Sequence, residues 1–305
     1  AFYLQDNFDF YFGFGYDNPG PAPRHPQVEN FGSRGDTYQW FLDQGSPDMI
    51  EKKFFKGRFP FWRDIIEHTN FDDFWKARST AEHMKNVKCA VLTVGGLFDA
   101  EDVYGPFGVY RAAEKQSPGA ANSIVIGPWS HGGWNGSDGD RLHHVRFGSK
   151  TAEFYRDNIE FPFFLHHLKG KGDGGKLPEA YMFLTGRNEW HKLDAWPPAS
   201  ARPKTLYFAS GGKLSETRPA ATADAFDEYV SDPAKPVPFF GAPTQGMTYD
   251  YMVEDQRFAS SRTDVLVYRT DVLEGDLTLA GPLQATLYVS TTGTDSDFVV
   301  KLIDV

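Results

Sequence analysis

Asp99, Glu101 and Asp102 place three carboxylates within four positions of the run GGLFDAEDVYG (residues 95–105), directly after an apolar stretch. About thirty residues further on, GPWSHGGW carries His131 just past a second apolar stretch. An acid and a histidine in this order can supply the last two members of a Ser…Asp…His relay. There the acid fixes the imidazole's tautomer and stabilises the imidazolium. The imidazole takes the nucleophile's proton and returns it to the leaving group.

Simpler readings compete. Asp99 fits a helix N-cap that accepts from the backbone N–H of Asp102, with Glu101 and Asp102 favoured by the helix dipole. A carboxylate turned to His131 would then serve the cap only in part. The small residues around His131 also fit a plain turn. Metal chemistry is not indicated, and no metal ligands are assigned. The acid-rich loops GSDGD (136–140) and TDSD (294–297) lack the spacing of a calcium loop. The pairs His143/His144 and His166/His167 are adjacent, so their side chains diverge on any regular element.

These residues need elements to hold them. VKCAVLTVGGLFD and SIVIGPW read as strands buried on both faces. VYGPFGVYRAAEKQ and TAEFYRDNIEFPFFLHHLKG read as helices, the second ending at Gly170. Strand, helix, strand, helix predicts an α/β sheet, whose working residues lie just past the carboxyl ends of its strands. Asp99 and His131 both fall there. Cys89, inside the first apolar run, reads as a small buried core residue.

On either side the texture differs. Residues 1–85 are expected to form a helical cap region. Its first sixteen residues are crowded with aromatics such as Phe2, Tyr11 and Phe14, a stripe read as a helix face packed on a core. A Pro- and Gly-rich loop, DNPGPAPRHPQ, precedes helices in TYQWFLDQG and FPFWRDIIEHTNFDDFWKARST. Residues 86–174 form the α/β part. After the linker KGKGDGGKLPE, residues 175–305 hold short strand-like runs: AYMFLTG, TLYFAS, DEYVSD, DVLVYRTDVL, LQATLYVSTTG and DFVVKLIDV. That pattern predicts an antiparallel β-sandwich, a jelly roll.

Composition narrows the function classes. The 305 residues carry a formal charge of −10, against the basic stripe that a nucleic-acid partner requires. Aromatics at 16% exclude a disordered chain, and a single cysteine excludes an internal disulfide framework. No apolar run approaches the roughly 18 residues of a membrane span, so no membrane partner is expected. The chain opens on AFYLQDNFDF and stops in the strand-like VVKLIDV, so it reads as a piece of a longer protein, truncated at both ends.

Four stretches in order, GGLFDAEDVYG, NSIVIGPWSHGGW, EYVSDPAKPVPF and TDSDFVVKLIDV, resemble the α-amino-acid ester hydrolases, which belong with cocaine esterase, glutaryl-cephalosporin acylase and the X-Pro dipeptidyl-peptidases. The resemblance implies the C-terminal part of a doubly wound α/β-hydrolase sheet with an inserted helical cap, followed by a β-sandwich jelly roll. It implies a serine hydrolase working through an acyl-enzyme, without a cofactor, on small amino-ester or dipeptide-like substrates, compatible with a homo-oligomer. Asp99 matches the triad acid and His131 the triad base. Glu101 and Asp102 match two members of an acidic cluster that binds the substrate's α-ammonium group, which favours amino esters and α-amino β-lactams. The G-x-S-Y-x-G nucleophile elbow is missing. Ser123 and Ser130 lie on the wrong connection, so the serine, the oxyanion-hole tyrosine and the third acid are expected before Ala1. The resemblance favours a periplasmic or secreted location. The alternatives are an X-Pro dipeptidyl-peptidase or simple acyl esterase of the same family, a non-catalytic jelly-roll binding protein, or a member that has lost activity.

Overall fold

Helices come first in the computed structural model, which describes residues 36–57, 59–220, 222, 225–244, 248–249 and 251–305. The aromatic stripe and Pro-rich loop of residues 1–35 lie outside the described residues. Helix α1 (Thr37–Gln44) starts at Asp36, whose side chain accepts from Gln39 N. Helix α2 (Pro47–Ile50) runs into a π turn (Glu51–Phe55), and α3 (Pro60–Glu67) begins on a proline, which suits a first turn with no N–H to satisfy. Their apolar faces meet in a cluster of Ile50, Phe55, Phe59 and Trp62, packed against Trp40 and Phe41. The short helix α4 (Asp73–Lys76) is capped by Asp72, which accepts from Phe74 N and Trp75 N. The run 59–80 thus breaks into separate helices, at its polar residues.

The α/β part follows in the expected order. Strand β1 (Val91–Gly96), helix α5 (Tyr104–Gln116) and strand β2 (Asn122–Gly127) make a parallel crossover, with Val91 opposite Asn122 and Gly96 opposite Gly127. After β2 come the short helix α6 (Gly133–Gly136) and a small hairpin, β3 (Arg141–Leu142) with β4 (Val145–Arg146). Helix α7 (Thr151–Tyr155), a π turn (Arg156–Glu160) and helix α8 (Phe161–Lys169) run on without a break to Gly170, whose left-handed backbone ends the helix. Ile124, Val125 and Ile126 are buried, each stabilising by about 1.5–3 kcal/mol. Val125, Trp129, Ala152, Tyr155, Ile159 and Tyr181 form the core between sheet and helix.

Two sequence readings change here. Cys89 is exposed, because β1 begins only at Val91 and the cysteine precedes the ladder. AYMFLTG, assigned to the second domain, supplies β5 (Ala180–Leu184), which pairs parallel with β2. β6 (Glu189–Leu193) then pairs antiparallel with β5, giving the sheet order β1-β2-β5-β6. The sheet therefore continues past the boundary drawn at residue 174. A short apolar run carries no record of which sheet it will join.

By contacts the chain divides into two units, Ala1–Leu193 with Phe239–Asp255, and Asp194–Pro238 with Gln256–Val305. In the second, β7 (Tyr207–Ala209) and β8 (Lys213–Ser215) form an antiparallel hairpin, bridged at Lys213 to Arg269. Phe208 packs on Tyr268 with ring centres 4.6 Å apart. The strand-like runs from Leu283 to Val305 have no ladder partner among the described residues, and side chains such as Tyr288, Val289 and Val299 stand exposed. Alternating apolar residues become a strand only where a second backbone satisfies their N–H and C=O groups. No helix among the described residues is long and apolar enough to cross a membrane.

Candidate active site

Because β1 and β2 are parallel and in register, their carboxyl ends stand side by side, and so do the loops that leave them. The two loops are joined by backbone bonds: Leu97 N donates to Gly127 O at 2.8 Å, and Phe98 N to Trp129 O at 3.1 Å. Gly96 makes this approach possible, since a Cβ there would lie 2.2 Å from Trp129 O. Phe98 also stacks on Phe147 with ring centres 6.2 Å apart.

In this frame Asp99 is 2% exposed and divides its carboxylate. Oδ1 accepts from the backbone of Glu101 at 2.9 Å and of Asp102 at 3.0 Å. Oδ2 lies 3.0 Å from Nδ1 of His131. The backbone turn and the histidine are thus served together, by different oxygens, and neither is served in part. Helix α5 starts beyond this turn, at Tyr104.

A carboxylate only accepts, so Nδ1 of His131 carries the proton and Nε2 is left to take another. The His131 side chain is 43% exposed. Glu101 Oε2 and Asp102 Oδ2 stand 3.7 Å and 3.5 Å from the same Nδ1. Burial opposes the imidazolium. The charges of Asp99 and Glu101, the hydrogen bond to Asp99 and the charge of Asp102 outweigh it, so the pKa of His131 is raised.

All four residues singled out in the sequence therefore converge. Of the two serines, Ser123 pairs with Leu92 at the start of β2, the far end of that strand from His131. Ser130, beside the histidine, uses its carbonyl to accept from Gly133 N. Asp99, Asp102 and His131 bring one ligand atom each within 4.8 Å of one another. Both oxygens of Asp99 are also engaged in hydrogen bonds, to the backbone turn and to His131. The GSDGD loop has a structural role: the carbonyl of Asp138 accepts from Ala152 N, at the first turn of α7.

Sequence reasoning missed the residues that hold the histidine loop. The indole of Trp129 donates to Thr151 Oγ1 at 2.9 Å, and that hydroxyl donates to Gly139 O at 2.7 Å. Trp129 also packs against Trp134, Tyr155 and Trp190. The only local signal was a tryptophan flanked by Gly-Pro and Ser-His.

Residues 19–133, with the acid and the histidine, match the family model of the X-Pro dipeptidyl-peptidase (S15 family). Residues 174–305 match that of the X-Pro dipeptidyl-peptidase C-terminal non-catalytic domain. Cocaine esterase of Rhodococcus sp. (strain MB1 Bresler) is 29% identical over 249 residues, which are 79% of this chain and 42% of the esterase. The crystal structure of an aminopeptidase from a marine sediment archaeon, Thaumarchaeota archaeon, superposes with a TM-score of 0.78 at 33% identity, over 88% of this chain and 44% of that one. An α-amino acid ester hydrolase superposes with a TM-score of 0.77 at 33% identity, over 91% and 46% of the two chains. The chain thus spans less than half the length of each of these relatives.

Proposed function

The chain belongs to the X-Pro dipeptidyl-peptidase (S15) family of α/β hydrolases, and on that footing we propose that the complete protein is a serine hydrolase acting on esters or amides of α-amino acids. The observation that carries this reading is the Asp99–His131 pair, 3.0 Å apart on loops from adjacent parallel strands, with Nε2 left to work. In the proposed reaction a serine outside these 305 residues attacks the substrate carbonyl as His131 Nε2 takes its proton. The resulting imidazolium is stabilised by Asp99 and then protonates the departing alcohol or amine. Water repeats the sequence on the acyl-enzyme.

Glu101 and Asp102 are assigned to the substrate's α-ammonium group. Two carboxylates beside a half-buried relay offer such a cation the paired charge that it needs on leaving water. An X-Pro dipeptidyl-peptidase would use them in the same way, because its substrates also present a free amine. A periplasmic or secreted location is part of the same reading and rests on the resemblance alone.

The test is to assay the complete protein on an aminoacyl ester, an X-Pro dipeptide anilide and a simple acetate ester, with wild type and His131→Ala. Hydrolysis that disappears with His131, together with serine labelling by a fluorophosphonate, is the expected result. A wild-type protein that takes up no label and cleaves none of the three would overturn the reading.

A further inference from the structure

His131 is followed directly by Gly132 and Gly133, and Gly132 sits at φ 67°, in the left-handed region. Two glycines next to the base give its loop more freedom than any other pair would, and that freedom has to be removed for the imidazole to stay on Asp99. Upstream of His131 the loop is fixed by Trp129 through Thr151. Downstream the anchor is Arg156, in the π turn between α7 and α8. Its Nη1 donates to the carbonyls of Trp134 at 2.7 Å and Ser137 at 2.9 Å, with that of Asn135 at 3.5 Å. These carbonyls lie at the end of α6, where helical carbonyls have no donor of their own and carry partial negative charge. One cationic nitrogen thus closes the loop just past the glycines. Thr151 and Arg156 belong to the same helical run, so both flanks of His131 are referred to one support. Single π turns inside α-helices occur often at functional sites.

We propose that Arg156 is a positioning residue for His131: by gathering the carbonyls of Trp134, Asn135 and Ser137 it keeps the Gly-Gly loop closed and the imidazole seated on Asp99. The kinetic arm of its test rests on the hydrolase reading; the spectroscopic arm does not.

The experiment compares Arg156→Met and Arg156→Lys in the complete protein, reading ester turnover and the titration of the His131 imidazole by NMR. With methionine, kcat should fall about 10- to 100-fold with KM little changed, the scale of a displaced catalytic group. His131 should also titrate lower, towards an ordinary imidazole, as it drifts from its three carboxylates. Lysine supplies a single cationic nitrogen and should restore most of both readouts. An unmoved titration with methionine, or a lysine variant as impaired as the methionine one, would overturn the proposal. Should Arg156→Met fail to fold, Arg156→Gln replaces it, with the titration expected between those of lysine and wild type on one side and a free imidazole on the other; an unmoved titration again overturns the proposal. A wild-type protein without turnover, in which the titration still follows the substitutions, would defeat the hydrolase reading and leave this one standing.

Discussion

The carboxylate of Asp99 meets Nδ1 of His131 at 3.0 Å through Oδ2, while Oδ1 stays with the amides of Glu101 and Asp102. Asp99→Asn and Asp99→Ala should therefore fail differently. Asparagine keeps an acceptor for the two amides but presents an N–H₂ to the histidine, or the reverse if it flips. In the complete protein its kcat should fall about 10⁴-fold, the loss typical when a triad acid becomes its amide, with a small change in Tm. Alanine also strands two backbone donors and should cost about 1–3 kcal/mol of stability. Equal Tm values for the two variants would contradict the division of roles.

Raising the pKa of His131 has opposite effects on activity and stability. The base must be neutral, so the acid limb of kcat/KM should lie above the ordinary imidazole value of 6.5. Because the folded-state pKa is above the unfolded one, protonation favours the folded protein. That contribution is fully present below about pH 6.5 and is lost as pH rises through the folded pKa. Activity thus rises over the pH range in which this stabilisation fades. A pH–rate profile beside Tm measured from pH 5 to 9 checks both signs, and an acid limb below the ordinary value would contradict the first.

Glu101→Gln removes one of the three negative charges near Nδ1, with its carboxylate 3.7 Å away. The acid limb should move down on any substrate. Substrates with an α-amino group should also show a KM raised about two- to fivefold, the scale of one partly exposed charge contact, whereas acetate esters should not. A KM increase of the same size on acetate esters would show that Glu101 holds no ammonium group.

Gly96→Ala places a methyl group 2.2 Å from Trp129 O, so the ends of β1 and β2 must part. A cost of about 1–3 kcal/mol is expected, with a drop in kcat because the acid and base loops separate. Thermal unfolding and turnover of the same preparation check this. An alanine variant with wild-type Tm and kcat would show that the loops can part at no cost.

The meeting of Asp99 and His131 was legible because its determinants are local. An apolar run closed by Gly-Gly announces the end of a strand, and an acid or a histidine just past such an end sits where α/β sheets do chemistry. β1 itself proved an edge strand among the described residues, only partly buried over residues 91–94. The approach of Glu101 and Asp102 to Nδ1 of His131 was not read from the sequence, where the resemblance assigned them to a substrate ammonium group. Illegible were the links made across distance, such as Trp129 to Thr151 and Arg156 to Ser137, since neither partner's type predicts the other. Cys89 was misplaced because a hydropathy run does not mark where the first ladder bond falls. AYMFL had the right element type but the wrong sheet, because its apolar and aromatic side chains suit either pairing.

Leu97 and Phe98 are bonded across to Gly127 and Trp129, at the point where Gly96 lets the two backbones meet. The backbone leading to Asp99 and the backbone leading to His131 are therefore tied to each other as far as Trp129. Up to that residue the tie is made by main-chain bonds and not by side chains. What these bonds leave untied is the stretch past Trp129, where the carbonyls of Trp134 and Ser137 accept from Arg156.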